Sequence, residues 1–289
     1  MKFIVGVLVV FICTFGGYML MGGKMSIIIK AAPFELIIIL GSGIGAYIIG
    51  TPGKVLKKSL GAFGKIAKGP TKKQEDYIQL LCLLYQIFKM VKSKGALAIE
   101  AHVENPEEST LFNNFELIAK DPHVMEFLCD YLRLWTLGTD NPAEMKAILD
   151  EEISTHHHET HALAHAYHML AEGLPALGIV AAVLGVIKTM ASISEPPEVL
   201  GKMIGGALVG TFLGVFLSYG LVGPMSETLG EISDAETKFY KCIKAALLAH
   251  MQGYAPAISI EFARKTLTSD VRPTFIEVED AVNELPPPT

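Results

Sequence analysis

Four long apolar runs constrain this chain more than any other feature of its sequence. They cover about Phe3–Met21, Phe34–Thr51, Leu174–Ser192 and Met203–Val222. A helix needs about 20 residues to cross the hydrocarbon core of a bilayer, and each run is close to that length. The chain is 51% hydrophobic with a mean hydropathy of +0.40, which is too apolar for an ordinary soluble protein. The sequence therefore predicts an all-α membrane protein with four transmembrane helices.

The four runs fall into two pairs, which predicts two helical hairpins. Gly22, Gly23 and Lys24 form the first loop, and Ser194–Glu198 forms the second, where two prolines cannot continue a helix. We expect the first run to be a retained span rather than a cleaved signal peptide, since it continues to Met21 without an A-x-A site. The predicted domains are transmembrane helices 1 and 2 (1–51), a helical cytoplasmic domain (52–173), transmembrane helices 3 and 4 (174–225), and a cytoplasmic C-terminal helix and tail (226–289).

The lysines that flank the spans predict their orientation. Seven of them follow the second run: Lys54, Lys57, Lys58, Lys65, Lys68, Lys72 and Lys73. The two hairpin loops hold only Lys24, Lys30 and Lys202. Because positive charge favours the cytoplasmic side, the middle segment and both termini are predicted to be cytoplasmic.

Hydrophobic periodicity predicts helices within the polar segments. The clearest are Tyr77–Met90, which Gly95 interrupts, Val124–Leu137 and the polar stretch Pro142–His168. An extended stretch is expected near Phe275–Val278. The proline-rich end at 286–288 is expected to be disordered.

The residue pattern excludes several functions. The net charge of −6 argues against nucleic-acid binding, and no catalytic arrangement, cofactor or metal site is predicted. The glycine-rich stretch Gly41–Ala46 lies in a membrane run, so it is interpreted as helix packing rather than a dinucleotide site. The histidines between His156 and His168 are interpreted as a solvated polar face rather than a metal site. None of the four runs carries an acid at its centre, so an ion-conducting chain would need its carrier group from a partner.

Small residues, prolines and one hydroxyl mark the last two runs. Gly206, Gly210 and Gly214 share one face of the fourth run, as do small residues of the third: Gly178, Ala181, Ala182 and Gly185. This pattern is typical of close packing with a partner or neighbouring subunit, although glycine is also simply abundant in membrane helices. Pro175 and Pro224 are either hinges or harmless boundary residues. Thr211 either faces an ion path or only bonds back to its own helix.

The chain resembles the motility protein A (MotA) family, the stator subunits of the bacterial flagellar motor, within the wider MotA/TolQ/ExbB group. Matching stretches run nearly end to end: FGGYMLMGG at 15–23, GSGIGAYIIG at 41–50, VENPEEST at 103–110, DYLRL at 130–134, DEEISTH at 150–156, LPALGIVAAVLGV at 174–186, VGTFLGVFLSYG at 209–220 and GYAPAISIEFARKTL at 253–267.

The resemblance implies a function and its partners. It implies a pentamer in the bacterial inner membrane, surrounding two copies of a MotB-like subunit that supplies the channel Asp. It matches Pro175 and Pro224 to functional prolines and Thr211 to the ion path. It also matches three charged residues to contacts with the rotor protein FliG: Lys92, Glu100 and, less firmly, Glu152.

The resemblance also bears on the ion. Sodium-using relatives carry a threonine where this chain has Ala182, which offers no side-chain oxygen, so protons are favoured. The alternatives left open are a TolQ- or ExbB-type energiser of outer-membrane processes, which would have three spans, a membrane scaffold, and a transporter acting alone.

Overall fold

The computed structural model describes residues 2–286, and throughout this range the regular elements are helical. The described residues form two compact units, one of 2–69 and 159–232 and the other of 70–158 and 233–286. Four helices are long and apolar enough to cross a membrane: Lys2–Leu20, Met25–Gly50, Pro142–Met190 and Pro197–Met251. The predicted fold class, an all-α protein with four membrane-spanning helices, is confirmed.

The first unit is built from the apolar helices. Its elements are α1 (Lys2–Phe11), a π-helical turn (Ile12–Gly16), α2 (Gly17–Leu20), α3 (Met25–Gly50), α4 (Gly53–Ser59), α5 (Ala62–Lys68), the C-terminal part of α11 (Pro142–Met190), α12 (Pro197–Leu217), a second π-helical turn (Ser218–Val222) and the start of α13 (Gly223–Met251). The predicted loop at Gly22 is confirmed, because Gly22 adopts the left-handed φ of 79° that favours glycine. Ile39, Leu174 and Leu213 bring α3, α11 and α12 together in one apolar cluster.

The second unit contains the shorter helices. They are α6 (Gln74–Lys94), α7 (Glu100–Glu104), α8 (Thr110–Asn113), α9 (Glu116–Ala119), α10 (Pro122–Thr136), the N-terminal part of α11, the C-terminal part of α13, α14 (Pro256–Lys265) and α15 (Phe275–Asn283), with 3₁₀ turns at Ala96–Ile99 and Pro106–Glu108. The helices predicted around Tyr77–Met90 and Val124–Leu137 are confirmed as α6 and α10. The interruption at Gly95 is confirmed by its φ of 87°. Leu81, Leu84 and Phe88 are fully buried on α6, as its apolar period predicts.

Two predicted elements differ from the structure. The expected extended stretch at Phe275–Val278 is the start of α15. Thr274 caps this helix by accepting a hydrogen bond from the Glu277 backbone N–H at 3.2 Å, and Glu277 accepts one from the Thr274 N–H at 2.6 Å. Such reciprocal bonds satisfy two backbone donors at a helix start and favour a helix over a strand. The polar helix at Pro142–His168 and the third span, predicted as separate elements, are one continuous helix, α11. Of the proline-rich end, residues 287–289 lie outside the described range.

Candidate functional site

The helices α11 and α12 approach each other closely through glycines. A Cβ added to Gly178 would lie 2.8 Å from the Gly210 carbonyl oxygen, and one added to Gly214 would lie 2.7 Å from the Leu174 carbonyl oxygen. Such contacts leave no room for a side chain, so glycine is required at these positions. The close packing predicted from the small residues is therefore confirmed at Gly178, Gly210 and Gly214. Gly210 and Gly214 make these contacts with α11 of the same chain, and their packing against a partner or neighbouring subunit stays a prediction.

The two residues predicted to line an ion path lie at the same level of this helix pair. A Cβ built on Gly210 would be 3.1 Å from the backbone nitrogen of Ala182, and Thr211 follows Gly210 directly on α12. Both Ala182 and Thr211 are half-buried within the chain. The structure therefore places Ala182 beside Gly210, the residue that precedes Thr211.

Pro175 lies within α11, and the backbone bond that it removes is replaced from another helix. A proline has no N–H, so the carbonyl of the residue four positions earlier, Ala171, lacks its helical donor. The hydroxyl of Ser218 donates to that Ala171 carbonyl at 2.7 Å, and Ser218 is buried. A carbonyl in a membrane helix that loses its donor can be satisfied by a serine in this way. Sequence reasoning missed Ser218, since only the fold shows that it reaches Ala171.

Pro224 is exposed and is the second residue of α13, directly after the π-helical turn Ser218–Val222. In this turn the Gly223 N–H bonds to the Ser218 carbonyl, one residue further back than in an α-helix. The same turn therefore adjoins both prolines: Ser218 at its start satisfies the carbonyl freed by Pro175, and Pro224 follows its end.

Glu35 overturns the prediction that no membrane span carries an acid in its interior. The second span begins at Met25 rather than Phe34, because Pro33 and the exposed Lys30 are accommodated within α3. Proline is tolerated in membrane helices, and the long lysine side chain can reach polar surroundings. Glu35 is the eleventh of 26 residues of α3 and is only 8% exposed. Glu35 is the second residue of the predicted run Phe34–Thr51, and counting the span from Met25 moves it from the end of the span to the interior.

The predicted rotor contacts lie in the second unit. Lys92 is in the last turn of α6, and Glu100 begins α7 after the 3₁₀ turn at Ala96–Ile99; both side chains are exposed. Because both side chains are exposed, Lys92 and Glu100 are accessible to a binding partner. Their accessibility suits a contact surface.

Glu152, the third predicted contact, lies on α11 and accepts a hydrogen bond from the Tyr131 hydroxyl at 2.6 Å. Burial, reinforced by this bond, raises the pKa of Tyr131. Glu152 therefore also holds α10 against α11. Engaging a partner through its carboxylate would compete with this bond.

The histidines from His156 to His168 all lie on α11. Among residues 2–286, no three His, Cys, Asp or Glu side chains are arranged to hold a metal ion.

Comparison with known proteins places this arrangement in a family. Residues 4–95 match the family described as motility protein A N-terminal, and residues 120–241 match the MotA/TolQ/ExbB proton channel family. The chain is 42% identical to motility protein A of Salmonella typhimurium over 98% of its own length and 95% of the relative. It is 34% identical to the chemotaxis protein LafT of Vibrio parahaemolyticus over 96% of its length and 97% of that protein.

Solved structures have the same fold. A structure titled C. jejuni MotAB superimposes with a TM-score of 0.75 at 20% identity, covering 93% of this chain and 96% of the matched chain. The flagellar MotAB stator complex from Bacillus subtilis matches with a TM-score of 0.66 at 24% identity, covering 89% of this chain and 92% of the matched chain. Together with the full-length identity to the Salmonella relative, these findings show that the chain belongs to the motility protein A family of multi-pass membrane proteins.

Proposed function

We propose that this chain is a stator subunit of the bacterial flagellar motor, which forms a proton channel with a MotB-like partner and converts ion-motive force into torque. The observation that carries the proposal is the 42% identity to a motility protein A over nearly the full length of both chains. The glycine-packed pair α11 and α12, with Ala182 and Thr211 at one level, supplies a wall suited to an ion path.

In this proposal the partner dimer contributes the Asp that carries the proton. The requirement for this Asp follows from the family resemblance and not from a lack of membrane acids, since Glu35 is present. A proton that neutralises the partner's Asp removes a costly charge from the membrane interior. The change in charge alters which packing of the subunits against the partner is stable.

Pro175 and Pro224 are proposed as the hinges that absorb this change. Both adjoin the π-helical turn Ser218–Val222, and such turns frequently occur at functional sites. One charge crossing 100 mV supplies about 2.3 kcal/mol. That energy suits a small repacking around one turn rather than a large rearrangement.

The proposed assembly is a homopentamer around the partner dimer in the inner membrane, with the termini and the second unit in the cytoplasm. Seven lysines after α3 support this orientation. Lys92, Glu100 and, less directly, Glu152 then face FliG on the rotor. As the pentamer turns about the fixed dimer, these charges push on the rotor.

The proposed ion is the proton. Sodium must exchange its water for oxygen ligands, and Ala182 presents none from its side chain. A TolQ- or ExbB-type energiser is the alternative function, but the match of residues 4–95 to the motility protein A N-terminal family favours the stator.

Swimming recovery tests the proposal. The chain is expressed with its cognate MotB-like partner, and separately without it, in a bacterium that lacks its own stators and has a compatible rotor. We expect recovery that requires the partner and does not change with sodium at fixed pH. Recovery that follows sodium would overturn the ion assignment alone. No recovery, with both proteins confirmed in the membrane, would overturn the stator and favour the energiser.

A further inference from the structure

One carboxylate in the membrane part of the chain is buried without a partner. Glu35 lies on α3 roughly 15 Å from the helix start, at 1.5 Å per residue, and is 8% exposed. Its Oε2 atom accepts no hydrogen bond, and no ion pair forms with Glu35, among residues 2–286. An ionised carboxylate without a partner at this depth costs free energy, so the residues around Glu35 decide which protonation state it can adopt.

Glu35 occupies a hollow that a glycine leaves open. A Cβ added to Gly210 on α12 would lie 2.6 Å from Glu35 Oε2 and 3.1 Å from the Ala181 Cβ of α11. The carboxylate therefore sits at the junction of α3, α11 and α12. This is the level of Ala182 and Thr211.

A cavity of about 780 Å³ leads to this carboxylate. Glu35 is its one acidic lining residue, and four exposed lysines also line it: Lys24 and Lys30 near and on α3, Lys188 on α11 and Lys202 on α12. A cavity of this size has room for water, which the lysines and Glu35 can bind by hydrogen bonds. Water in this cavity would lie next to Glu35.

We propose that Glu35 is a proton-exchange site within the wall of this chain, reached through the lysine-lined cavity and coupled to the packing of α3 against α12. The bound species is a proton rather than a metal cation, because four positive charges repel a cation and a single carboxylate offers too few oxygen ligands. The protonated acid fits the Gly210 hollow without an ionic partner. The ionised form draws water and the lysines toward it and loosens this contact. The coupling to ion flow rests on the proposed stator function.

Carbodiimide labelling tests the site directly. The hydrophobic reagent dicyclohexylcarbodiimide adds across its N=C=N group to a neutral carboxylic acid and leaves an acylurea that mass spectrometry locates. The full chain with its partner is treated in native membranes at several pH values. Two exposed acids serve as internal controls: Glu195 in the loop between α11 and α12, and Glu198 in the first turn of α12.

We expect the adduct at Glu35 and not at the two control acids, with a yield that falls roughly tenfold per pH unit above the midpoint of the Glu35 titration as the protonated fraction falls. Labelling of Glu35 no greater than that of Glu195 and Glu198 would overturn the site. This readout does not require the chain to be a motor component.

A functional arm tests the coupling. Glu35→Gln keeps the shape of the side chain and removes its titratable group, and Glu35→Asp keeps an acid. Glu198→Gln is the matched control at an exposed position in the first turn of α12. We expect Glu35→Gln to lower swimming speed severalfold and to flatten its dependence on external pH, while Glu35→Asp retains that dependence and Glu198→Gln behaves as the unmodified chain. Unchanged swimming of Glu35→Gln across the pH range would overturn the coupling. Failure of the unmodified chain to restore swimming would instead count against the stator function, and the labelling result would stand by itself.

Discussion

At the scale of single residues, His250 is a buried titratable group that links the stability of the second unit to pH. Its ring stacks on Phe88 with centroids 4.5 Å apart and lies 5.6 Å from the Trp135 ring. Its Nδ1–H donates to the Tyr254 carbonyl at 3.1 Å. Burial lowers the pKa of His250, and the charge of Lys92 lowers it further, against the opposing effect of the Tyr254 bond.

We predict that this histidine makes the second unit less stable in acid. Because the folded pKa is below the unfolded value of about 6.5, the unfolded chain binds a proton between the two values and the folded chain does not. The free energy of unfolding is not reduced by His250 above about pH 6.5. It falls as the pH drops toward the folded pKa, by up to about 1.4 kcal/mol per pH unit. Fluorescence of Trp135, the single tryptophan, follows unfolding of the full chain in detergent. His250→Gln should flatten this dependence and the exposed His123→Gln should not; an unchanged slope in His250→Gln would exclude His250 as its source.

At the scale of helices, the bond from Ser218 to Ala171 should matter only because Pro175 is present. Ser218→Ala leaves the Ala171 carbonyl without a donor, which should cost about 1 kcal/mol of stability. In a Pro175→Ala background the helix supplies its own N–H, so the same serine change should cost much less. The difference between the two costs measures the coupling in a double-mutant cycle.

Ser226 supplies the matched control for this cycle. Its hydroxyl donates to the Ala164 carbonyl at 2.9 Å, but no proline lies four residues after Ala164. For each serine, thermal unfolding of the full chain in detergent gives the stability of the unmodified chain, the two single variants and the double variant. The cost of Ser226→Ala should be the same with and without Pro175. Equal costs for Ser218→Ala in both backgrounds would refute the proposed role of Ser218.

The helices were largely predictable from the sequence, and their boundaries were less so. The apolar period on α6 and the glycine at 95 are local signals, and both were read correctly. Pro33 and Pro175 misled the boundary predictions, because proline usually ends helices in water but is accommodated in membrane helices by neighbouring groups. The start of α15 was missed although Thr274 and Glu277 form a readable capping pattern. The depth of Glu35 follows from the sequence once the second span is counted from Met25, whereas the Ser218 bond depends on a contact between residues 47 positions apart.

At the scale of the whole molecule, the two units divide the proposed work between ion passage and rotor contact. Ala182, Thr211, Pro175 and Glu35 belong to the first unit, while Lys92 and Glu100 belong to the second. The continuous helices α11 and α13 each contribute residues to both units.

The last prediction tests the rotor-contact end of this arrangement. Reversing both charges, with Lys92→Glu and Glu100→Lys, keeps the net charge but inverts the pattern offered to the rotor. Two repulsive contacts replacing attractive ones should weaken the rotor contact roughly tenfold, corresponding to 1.4 kcal/mol, and should lower swimming speed.

Glu116 and Lys120 provide the control, since they form an exposed ion pair elsewhere in the second unit with a separation of 2.6 Å. Reversing this pair, with Glu116→Lys and Lys120→Glu, should leave swimming unchanged. Reversing the complementary charges on FliG should restore swimming to the Lys92/Glu100 variant. If swimming is unaffected by the first reversal, or if no rotor reversal restores it, Lys92 and Glu100 do not act as charge contacts with the rotor. Torque would then have to be transmitted through the shape or apolar surface of the second unit.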